Sequence, residues 1–388
     1  MENNRIQAVH ILHDSDQPLS SPDRFGPDTA EKARCFHRSF PEYRETPLVE
    51  LKALSKRLGV TSIRVKDESF RFGLNAFKAL GGTYCVGKCI EEHKAAGDNS
   101  QLTFVTATDG NHGRGIAWAA AKQGHKSVVY MPHGSAEERL ENIRKAGAEA
   151  SITDLNYDDA VRFANSQAEK YGWIMVQDTA WEGYTKYPTW IMQGYTTMAL
   201  EACGQLGFVK PTHVFLQAGV GAMSGAVTGF LASYYGEKDR PKIVIVEPDA
   251  ADCIYQTSKA NDGKLHPVGG ALSTIMAGLA CGEPCTIGWE MIRDHADYAV
   301  SMPDWVAAKG MRVLGNPLPG DDKVISGESG AAGAGFAVTL MTRADLASFK
   351  EELGIDENSV ILCFSTEGDT DKKNYRDIVW DGKYPSFE

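Results

Sequence analysis

The sequence has few cysteines, and their spacing fits no metal site. Eight cysteines are scattered through 388 residues. Neither Cys85 with Cys89 nor Cys281 with Cys285 has the two-residue gap and the second pair that a zinc site uses. The sequence therefore predicts no bound metal. We expect most of the cysteines to be buried thiols, with a local pairing such as Cys253 with Cys281 as the alternative.

Positive charge and long apolar runs are also lacking. The chain has 40 Lys and Arg against 51 Asp and Glu, a formal net charge of -11. No run of Lys or Arg reverses this balance locally, so nucleic acid and anionic membrane surfaces are not expected as partners. The opening MENNRIQAVHILHD does not resemble a signal peptide, and the longest apolar runs are shorter than the ~18 residues of a membrane span. We therefore expect a soluble, cytoplasmic protein.

Short β-branched runs alternate with segments in which apolar residues recur at helical spacing. The runs predicted as buried strands are residues 62–67, 102–107, 126–131, 173–178, 212–218, 242–247 and 359–364. This alternation favours an α/β fold with mostly parallel sheets flanked by helices.

The length of the chain is sufficient for two domains. A long helical segment that starts near Pro188 separates two clusters of predicted strands. We therefore expect a smaller α/β domain at 84–196 and a larger domain formed by 1–83 and 197–388. The Gly-rich, weakly patterned residues 261–285 are expected to be a surface excursion, with a loop over a site as the alternative.

Lys78 lies in the segment NAFKALGG, at the predicted start of a helix. A lysine there opposes the helix dipole, and by itself it is typical of a solvated surface residue. The placement becomes chemically sensible if the amine forms a Schiff base with a phosphorylated pyridine, because that bond removes the isolated ammonium.

The segment TATDGNHGRG (106–115) follows a predicted strand and opens a helix. Its glycines allow a ligand to approach the backbone, and the free N–H groups of the turn could hold a carboxylate. Asn111 can donate or accept a hydrogen bond toward a ring substituent. An ordinary strand-to-helix turn is the alternative. We expect His112 to be a hydrogen-bonded structural residue without a chemical role.

The segment QAGVGAMSG (217–225) also joins a predicted strand to a helix. Its N–H groups and the helix dipole would suit a phosphate. The glycines at 219, 221 and 225, with Glu247 at the end of the next strand, also resemble a dinucleotide fingerprint with its ribose-binding acid. The segment alone does not decide between the two.

Two further predicted strands end in polar residues. Asp178 ends one of them, and Ser365 and Thr366 end the other. Because α/β sheets hold ligands at the carboxyl ends of parallel strands, these residues are candidates for a site. A cap or turn residue is the alternative for Asp178.

Taken in order, NAFKALGG, TATDGNHG, AGVGAMSG and STEGD resemble the fold type II pyridoxal 5'-phosphate (PLP) enzymes, the family of threonine dehydratase and cysteine synthase. More closely, KDESFRFGLNAFKALGG, TDGNHGRGIAWAA, VQDTAWEGYTK, ISGESGA and STEGDTD resemble the diaminopropionate ammonia-lyases, over nearly the whole chain from about residue 35. The resemblance implies a two-domain, tryptophan synthase β-like fold. It also implies a homodimer that converts D- and L-2,3-diaminopropionate to pyruvate and two ammonia.

The resemblance also implies which residues hold the cofactor. Lys78 would carry PLP, Asn111 would contact the ring hydroxyl, and Thr366 would face the pyridine nitrogen. The residues expected to hold the phosphate are Gly219, Val220, Gly221, Ala222 and Met223. A neutral hydroxyl opposite the ring nitrogen leaves that nitrogen largely unprotonated, which elimination tolerates better than transamination.

The substrate is expected to meet Thr108 and two acidic residues, Asp109 and Asp178. Dehydratases have a small residue at the position of Asp109, and a carboxylate there can pair with a second ammonium group on the substrate. Asp109 and Asp178 resemble the two acidic residues that set the diaminopropionate ammonia-lyases apart. We expect Lys78 to be the base on one face of the substrate and Asp109 the base on the other, with Asp178 assisting or binding the β-ammonium.

Three other functions remain open from the sequence. A serine or threonine dehydratase-like PLP lyase is disfavoured by the acidic pair. An NAD-dependent oxidoreductase would use residues 217–225 and Glu247 but would leave Lys78, Asn111 and Thr366 without a role. A non-catalytic metabolite sensor would leave the reactive lysine idle.

Overall fold

The structure of the chain is a computed structural model that describes residues 5–13, 18–108 and 110–386, apart from the side chain of Asp158. The described strands are β1 (Gln7–His10), β2 (Leu48–Glu50), β3 (Ser62–Asp67), β4 (Thr103–Ala107), β5 (Lys126–Met131), β6 (Glu149–Ile152), β7 (Ile174–Met175), β8 (His213–Gln217), β9 (Lys242–Pro248), β10 (Tyr298–Met302) and β11 (Val360–Ser365). The described α-helices are α1 (Pro27–His37), α2 (Lys52–Leu58), α3 (Lys78–Ala95), α4 (Asn111–Lys122), α5 (Glu137–Lys145), α6 (Tyr157–Tyr171), α7 (Lys186–Leu206), α8 (Ala222–Tyr235), α9 (Cys253–Ala260), α10 (Thr286–His295), α11 (Asp304–Gly315), α12 (Ala332–Thr342), α13 (Ala347–Leu353) and α14 (Lys372–Val379). None of these helices has the length and apolar character that crossing a bilayer requires.

The strands form two sheets. In the larger sheet the order is β1-β10-β9-β8-β11-β3-β2, and the pairs from β10 to β3 are parallel while both edge strands run antiparallel. The smaller sheet has the order β6-β5-β4-β7 and is parallel throughout. All residues of β8 and β11 are buried, as expected for strands covered by helices on both faces. The predicted α/β class with mostly parallel sheets is confirmed.

Six of the seven predicted strands lie within one residue of an observed strand at both ends, and the seventh does not. The predictions at 62–67 and 126–131 match β3 and β5. The strand predicted at 173–178 is too long, because β7 ends at Met175. In the turn that follows, the Gln177 N–H donates to the Tyr184 hydroxyl at 2.9 Å. Strands β4 to β7 all fall within 84–196, the range predicted for the smaller domain, and the domain boundaries themselves stay a prediction.

Helices α3 and α7 cross at closely approaching glycines. A Cβ atom on Gly194 would lie 2.6 Å from the carbonyl oxygen of Leu80, and one on Gly81 would lie 2.5 Å from the ring of Tyr195. Any larger residue at these positions would push the helices apart. The crossing therefore fixes the first turn of α3, which begins at Lys78.

Four buried charged side chains hold the segment that leads into α3. Arg71 donates to Glu68 at 2.8 Å and to Glu201 at 2.7 Å, and Lys66 Nζ lies 2.7 Å from Glu201. All four side chains are fully buried. Since unpaired charges would be costly in the interior, the two cations and two carboxylates compensate one another. They tie β3 and the 3-10 segment Glu68–Gly73 to α7.

Candidate active site

A cavity of about 600 Å³ is lined by residues that follow β4, β7, β8 and β11. The carboxyl ends of parallel strands are where α/β sheets hold ligands. The predicted site residues that line this cavity are Lys78, Thr108, Asn111, Asp178, Gly219, Val220, Gly221, Ala222, Met223 and Thr366. Asp109, the remaining predicted site residue, lies outside the described residues. The structure therefore brings the described candidates together, while the role of each one stays a prediction.

Lys78 is the first residue of α3, and its amine reaches the cavity. Its Nζ lies 2.8 Å from Oδ2 of Asp178, which follows β7 and is 8% exposed. An ammonium at a helix start is disfavoured by the helix dipole. The charge-assisted hydrogen bond to Asp178 offsets that cost.

The charge state of Asp178 is set by its neighbours. Burial by itself raises the pKa of Asp178, but the Lys78 ammonium, which donates a hydrogen bond to this carboxylate, outweighs burial and holds that pKa well below its usual range. Burial lowers the pKa of His112, so this imidazole is neutral at pH 7 and the Lys78 ammonium supplies the compensating charge. The carboxylate is therefore ionised at neutral pH.

His112 makes the structural hydrogen bond expected from the sequence. Its Nε2 lies 2.8 Å from the carbonyl oxygen of Val176. Since a carbonyl oxygen only accepts, Nε2 carries the proton in the neutral ring. The other nitrogen, Nδ1, faces Asp178 Oδ2 at 3.7 Å.

Residues 219 to 223 comprise the end of the turn between β8 and α8 and the first two residues of α8, and they line the cavity. Gly221 precedes the helix with φ of 88°, a left-handed conformation that favours glycine. Within the part of the chain that the structure describes, no protein acceptor is paired with the backbone N–H groups of residues 219 to 223. Unpaired donors at the start of a 14-residue helix would suit a phosphate, and this role stays a prediction.

Thr366 presents a hydroxyl group whose orientation is constrained. Nε2 of Gln217 donates to Oγ1 of Thr366 and to the carbonyl oxygen of Phe364, both at 2.9 Å. Because a carbonyl only accepts, the amide nitrogen of Gln217 is identified without ambiguity. The Thr366 oxygen accepts this bond, so its own hydrogen is left to donate into the cavity, as a ring nitrogen would require.

Glu247 is not available to bind a ribose. It is fully buried, and its two carboxylate oxygens accept the N–H groups of Ile254 at 2.9 Å and Tyr255 at 2.7 Å. Gly225 packs against Gly288, whose carbonyl oxygen would lie 2.6 Å from an added Cβ. The alternative prediction of a dinucleotide site at 217–225 is therefore wrong.

Part of the segment 261–285 forms one wall of the cavity. Residues 271–274 and 277–281 line it. The expected surface excursion is wrong for these residues, because long-range hydrogen bonds draw them inward. The Gly278 N–H donates to Ser329 Oγ at 3.0 Å, and the Thr274 hydroxyl donates to the Asp304 carboxylate.

Tyr195 and Glu367 are among the cavity residues that were missed in the sequence. Tyr195 lines the cavity, and its hydroxyl is buried with no hydrogen-bond partner among the described residues. It lies on α7 among apolar residues, so its spacing indicated only a core position. Glu367 follows Thr366 and accepts a hydrogen bond from Asn111 at 2.7 Å. No local pattern predicts that contact, because the partners are 256 positions apart.

Glu328 is a second buried carboxyl beside Glu367, and we expect it to make stability depend on pH. Burial and the charge of Glu367 raise the pKa of Glu328 to about 7. Because the folded pKa exceeds the unfolded value, the stability that this group contributes is fully present below about pH 4.5 and is lost as the pH rises through 7. The shift corresponds to about 3 kcal/mol.

The Glu328→Gln variant should lack this component. From pH 4.5 to pH 8, urea titrations should show wild-type unfolding free energy falling relative to that of the variant by about 3 kcal/mol. Parallel pH profiles for the two proteins would contradict the expected role of Glu328.

Comparisons with known proteins show which family and which solved structures the chain is similar to. Residues 40–362 match the family described as pyridoxal-phosphate dependent enzyme. The chain is 51% identical over 374 residues to diaminopropionate ammonia-lyase of Escherichia coli (strain K12), which covers 93% of each protein. A crystal structure of the Escherichia coli enzyme with an aminoacrylate-PLP azomethine reaction intermediate is similar with TM-score 0.91 and 48% identity over 98% of each chain. The same enzyme in complex with D-serine gives TM-score 0.91 and 47% identity over 99% of each chain.

Proposed function

Because the chain belongs to the pyridoxal-phosphate-dependent enzymes and, among them, to the diaminopropionate ammonia-lyases, we propose that it converts D- and L-2,3-diaminopropionate to pyruvate and two ammonia. One observation carries this proposal. The Lys78 amine and the Asp178 carboxylate lie 2.8 Å apart in the cavity that also contains the unpaired N–H groups of residues 219 to 223. An amine, a carboxylate and a phosphate site are the groups that the reaction requires.

The residues present fit pyridoxal phosphate. The unpaired N–H groups of residues 219 to 223 match the phosphate, and the Thr366 hydroxyl is free to donate to the ring nitrogen. Asn111 lines the same cavity and suits the ring oxygen, and Lys78 supplies the amine that the aldehyde needs. When bound, the cofactor withdraws electrons from the Cα of an amino acid and so acidifies its α-proton.

The bases of the reaction come from the chain. Nζ of Lys78 takes the Cα proton on one face of the substrate, and a carboxylate oxygen of Asp109 takes it on the opposite face. Two bases on two faces would accept both enantiomers. Loss of the β-amine as ammonia and hydrolysis of the remaining enamine then give pyruvate and the second ammonia. Thr108 lines the same cavity as Lys78 and contributes to holding the substrate.

Asp178 supports recognition of a substrate with two amino groups. In the free site its carboxylate is paired with the Lys78 ammonium. When the Lys78 amine is neutral, as it would have to be to bond an aldehyde or to take a proton, the carboxylate lacks a cation in a mostly buried setting. A substrate β-ammonium replaces the missing charge, whereas a serine hydroxyl does not. The ionised state of Asp178 at neutral pH suits this role.

A spectrum and a product assay test the proposed function. The purified protein is loaded with PLP, its visible spectrum is recorded before and after borohydride, and pyruvate is measured with the D and L forms of diaminopropionate and of serine. We expect a visible band that borohydride bleaches, and pyruvate from both forms of diaminopropionate but little from serine.

Each alternative predicts a different result. Equal rates with serine and diaminopropionate would replace the proposed substrate with that of a dehydratase. A bleachable band without pyruvate from any of these substrates would indicate a sensor. Absence of the band after loading would contradict the role of Lys78. We further propose that the enzyme is a homodimer in the cytoplasm; the resemblance to the family supports this, and it stays a prediction.

A further inference from the structure

Glu367 lies in the wall of the cavity and has no role in the proposed reaction so far. It follows Thr366 at the end of β11 and is 7% exposed. Its Oε2 accepts a hydrogen bond from Nδ2 of Asn111 at 2.7 Å, and its Oε1 accepts one from the Ser329 N–H at 3.3 Å. A buried carboxylate thus joins the last strand of the large sheet to the first residue of α4.

Several contacts besides the one with Asn111 hold Glu367 in place. The backbone carbonyl of Glu367 accepts the Gly327 N–H at 2.9 Å, and the Thr370 hydroxyl donates to Oε2 of Glu367 at 3.4 Å. Arg114, one turn along α4, interacts electrostatically with Glu367. The position of Glu367 is therefore determined by contacts other than the one with Asn111.

This contact determines which way the Asn111 amide faces. An ionised carboxylate only accepts hydrogen bonds, so it selects the nitrogen of the amide over its oxygen. The same nitrogen carries a second N–H, which remains available to a ligand. Without Glu367 the amide could turn over and offer its oxygen to the ligand instead.

We propose that Glu367 is a positioning residue that acts through Asn111, holding the amide nitrogen toward the ring oxygen of the cofactor. This rests on the proposed function, in which Asn111 meets that oxygen. The second N–H then donates to the ring oxygen and stabilises its ionised form. Ionisation of this oxygen shifts the absorption of the ring to longer wavelength, so the orientation of Asn111 is readable in the spectrum.

A carboxylate suits this position better than an amide. Asn111 and the Ser329 N–H each donate to a different oxygen of Glu367. A glutamine has one acceptor oxygen and one donor nitrogen, so it can serve only one of these donors and opposes the other. Glu367→Gln therefore changes the orientation of Asn111 with almost no change in side-chain size.

The test uses the PLP-loaded full-length protein and two readouts besides turnover. These are the fraction of the long-wavelength form in the absorption spectrum and the dissociation constant of PLP. Glu367→Gln should weaken PLP binding roughly tenfold, the loss expected for one hydrogen bond to a charged group, and should lower the long-wavelength fraction. Glu367→Asp, whose shorter carboxylate no longer reaches Asn111, should behave in the same way.

Asn111→Ala completes a double-mutant cycle. If Glu367 acts through Asn111, Glu367→Gln should have no further effect on spectrum or affinity in the Asn111→Ala background. Glu328→Gln is the matched control, because it neutralises the neighbouring carboxyl, which bonds Asn374 instead of Asn111, and it should leave the absorption band unchanged. Thermal melts of the PLP-free variants confirm that each one folds.

Two outcomes overturn this inference. One is an unchanged spectrum and affinity in Glu367→Gln although Asn111→Ala alters both. The other is an equal effect of Glu367→Gln with and without Asn111. Failure of the proposed function is distinct from these, since the wild-type protein would then show no bleachable PLP band or Asn111→Ala would leave the band unchanged.

Discussion

Replacing Lys78 with arginine is expected to abolish the borohydride-sensitive absorption band and to lower kcat for 2,3-diaminopropionate by about a thousandfold or more. A guanidinium stays protonated at all accessible pH values, so it can neither attack an aldehyde nor accept a proton. It keeps the positive charge beside Asp178, which lies 2.8 Å from Nζ in the wild-type protein. Because the substitution leaves the charge balance of the cavity little altered, the loss of activity would report the chemistry of the Lys78 amine.

The matched control for this variant is Lys88→Arg. Lys88 lies on the same helix and pairs with Glu91 at 2.6 Å on the exposed side, so its replacement should change neither the spectrum nor kcat. Mass spectrometry of borohydride-treated wild-type protein should locate the added mass on the peptide that contains Lys78. A band in Lys78→Arg that borohydride still fixes to the chain would show that another lysine carries the cofactor.

The central strands could be predicted from the sequence because burial on both faces leaves a local pattern. β3, β8, β9 and β11 are runs of mostly buried residues rich in Val, Ile and Phe. Four strands were missed, and three of them lack this pattern; the fourth, β10, is fully buried but has only one β-branched residue, Val300. β1 and β2 are edge strands, and β6 alternates exposed with half-buried residues. Such strands owe their structure to partners that are distant in the sequence.

The candidate site also has a part that could be predicted from the sequence and a part that could not. Lys78, Asn111, residues 219 to 223 and Thr366 lie in motifs at strand ends and helix starts, and their position in one cavity follows from the α/β topology. The pairing of Lys78 with Asp178 spans 100 positions, and that of Asn111 with Glu367 spans 256. Sheet order and register decide which of several polar residues come into contact. The local spacing of residues in the sequence does not encode these contacts.

Replacing Asp178 with asparagine is expected to lower kcat/KM for 2,3-diaminopropionate by about a hundredfold to a thousandfold. The variant leaves the β-ammonium of the substrate without a counter-charge in a mostly buried site. It also removes the partner of Lys78, a loss that affects every amino-acid substrate equally. Serine has one ammonium group, so its slow turnover measures only the loss that all amino-acid substrates share. We expect kcat/KM for serine to fall by less than about tenfold.

The difference between the two substrates isolates the recognition of the second amino group. Glu182→Gln, the same change in charge at an exposed position four residues further along, should leave both kcat/KM values unchanged. The PLP band should persist in Asp178→Asn, because the amine of Lys78 and the phosphate site at 219 to 223 are retained. If serine and diaminopropionate lost activity by the same factor, Asp178 would act on Lys78 alone. Selection for the second ammonium would then rest on Asp109. Separately, because Asp109 is proposed as the base on one face only, Asp109→Asn should impair one enantiomer of diaminopropionate more than the other.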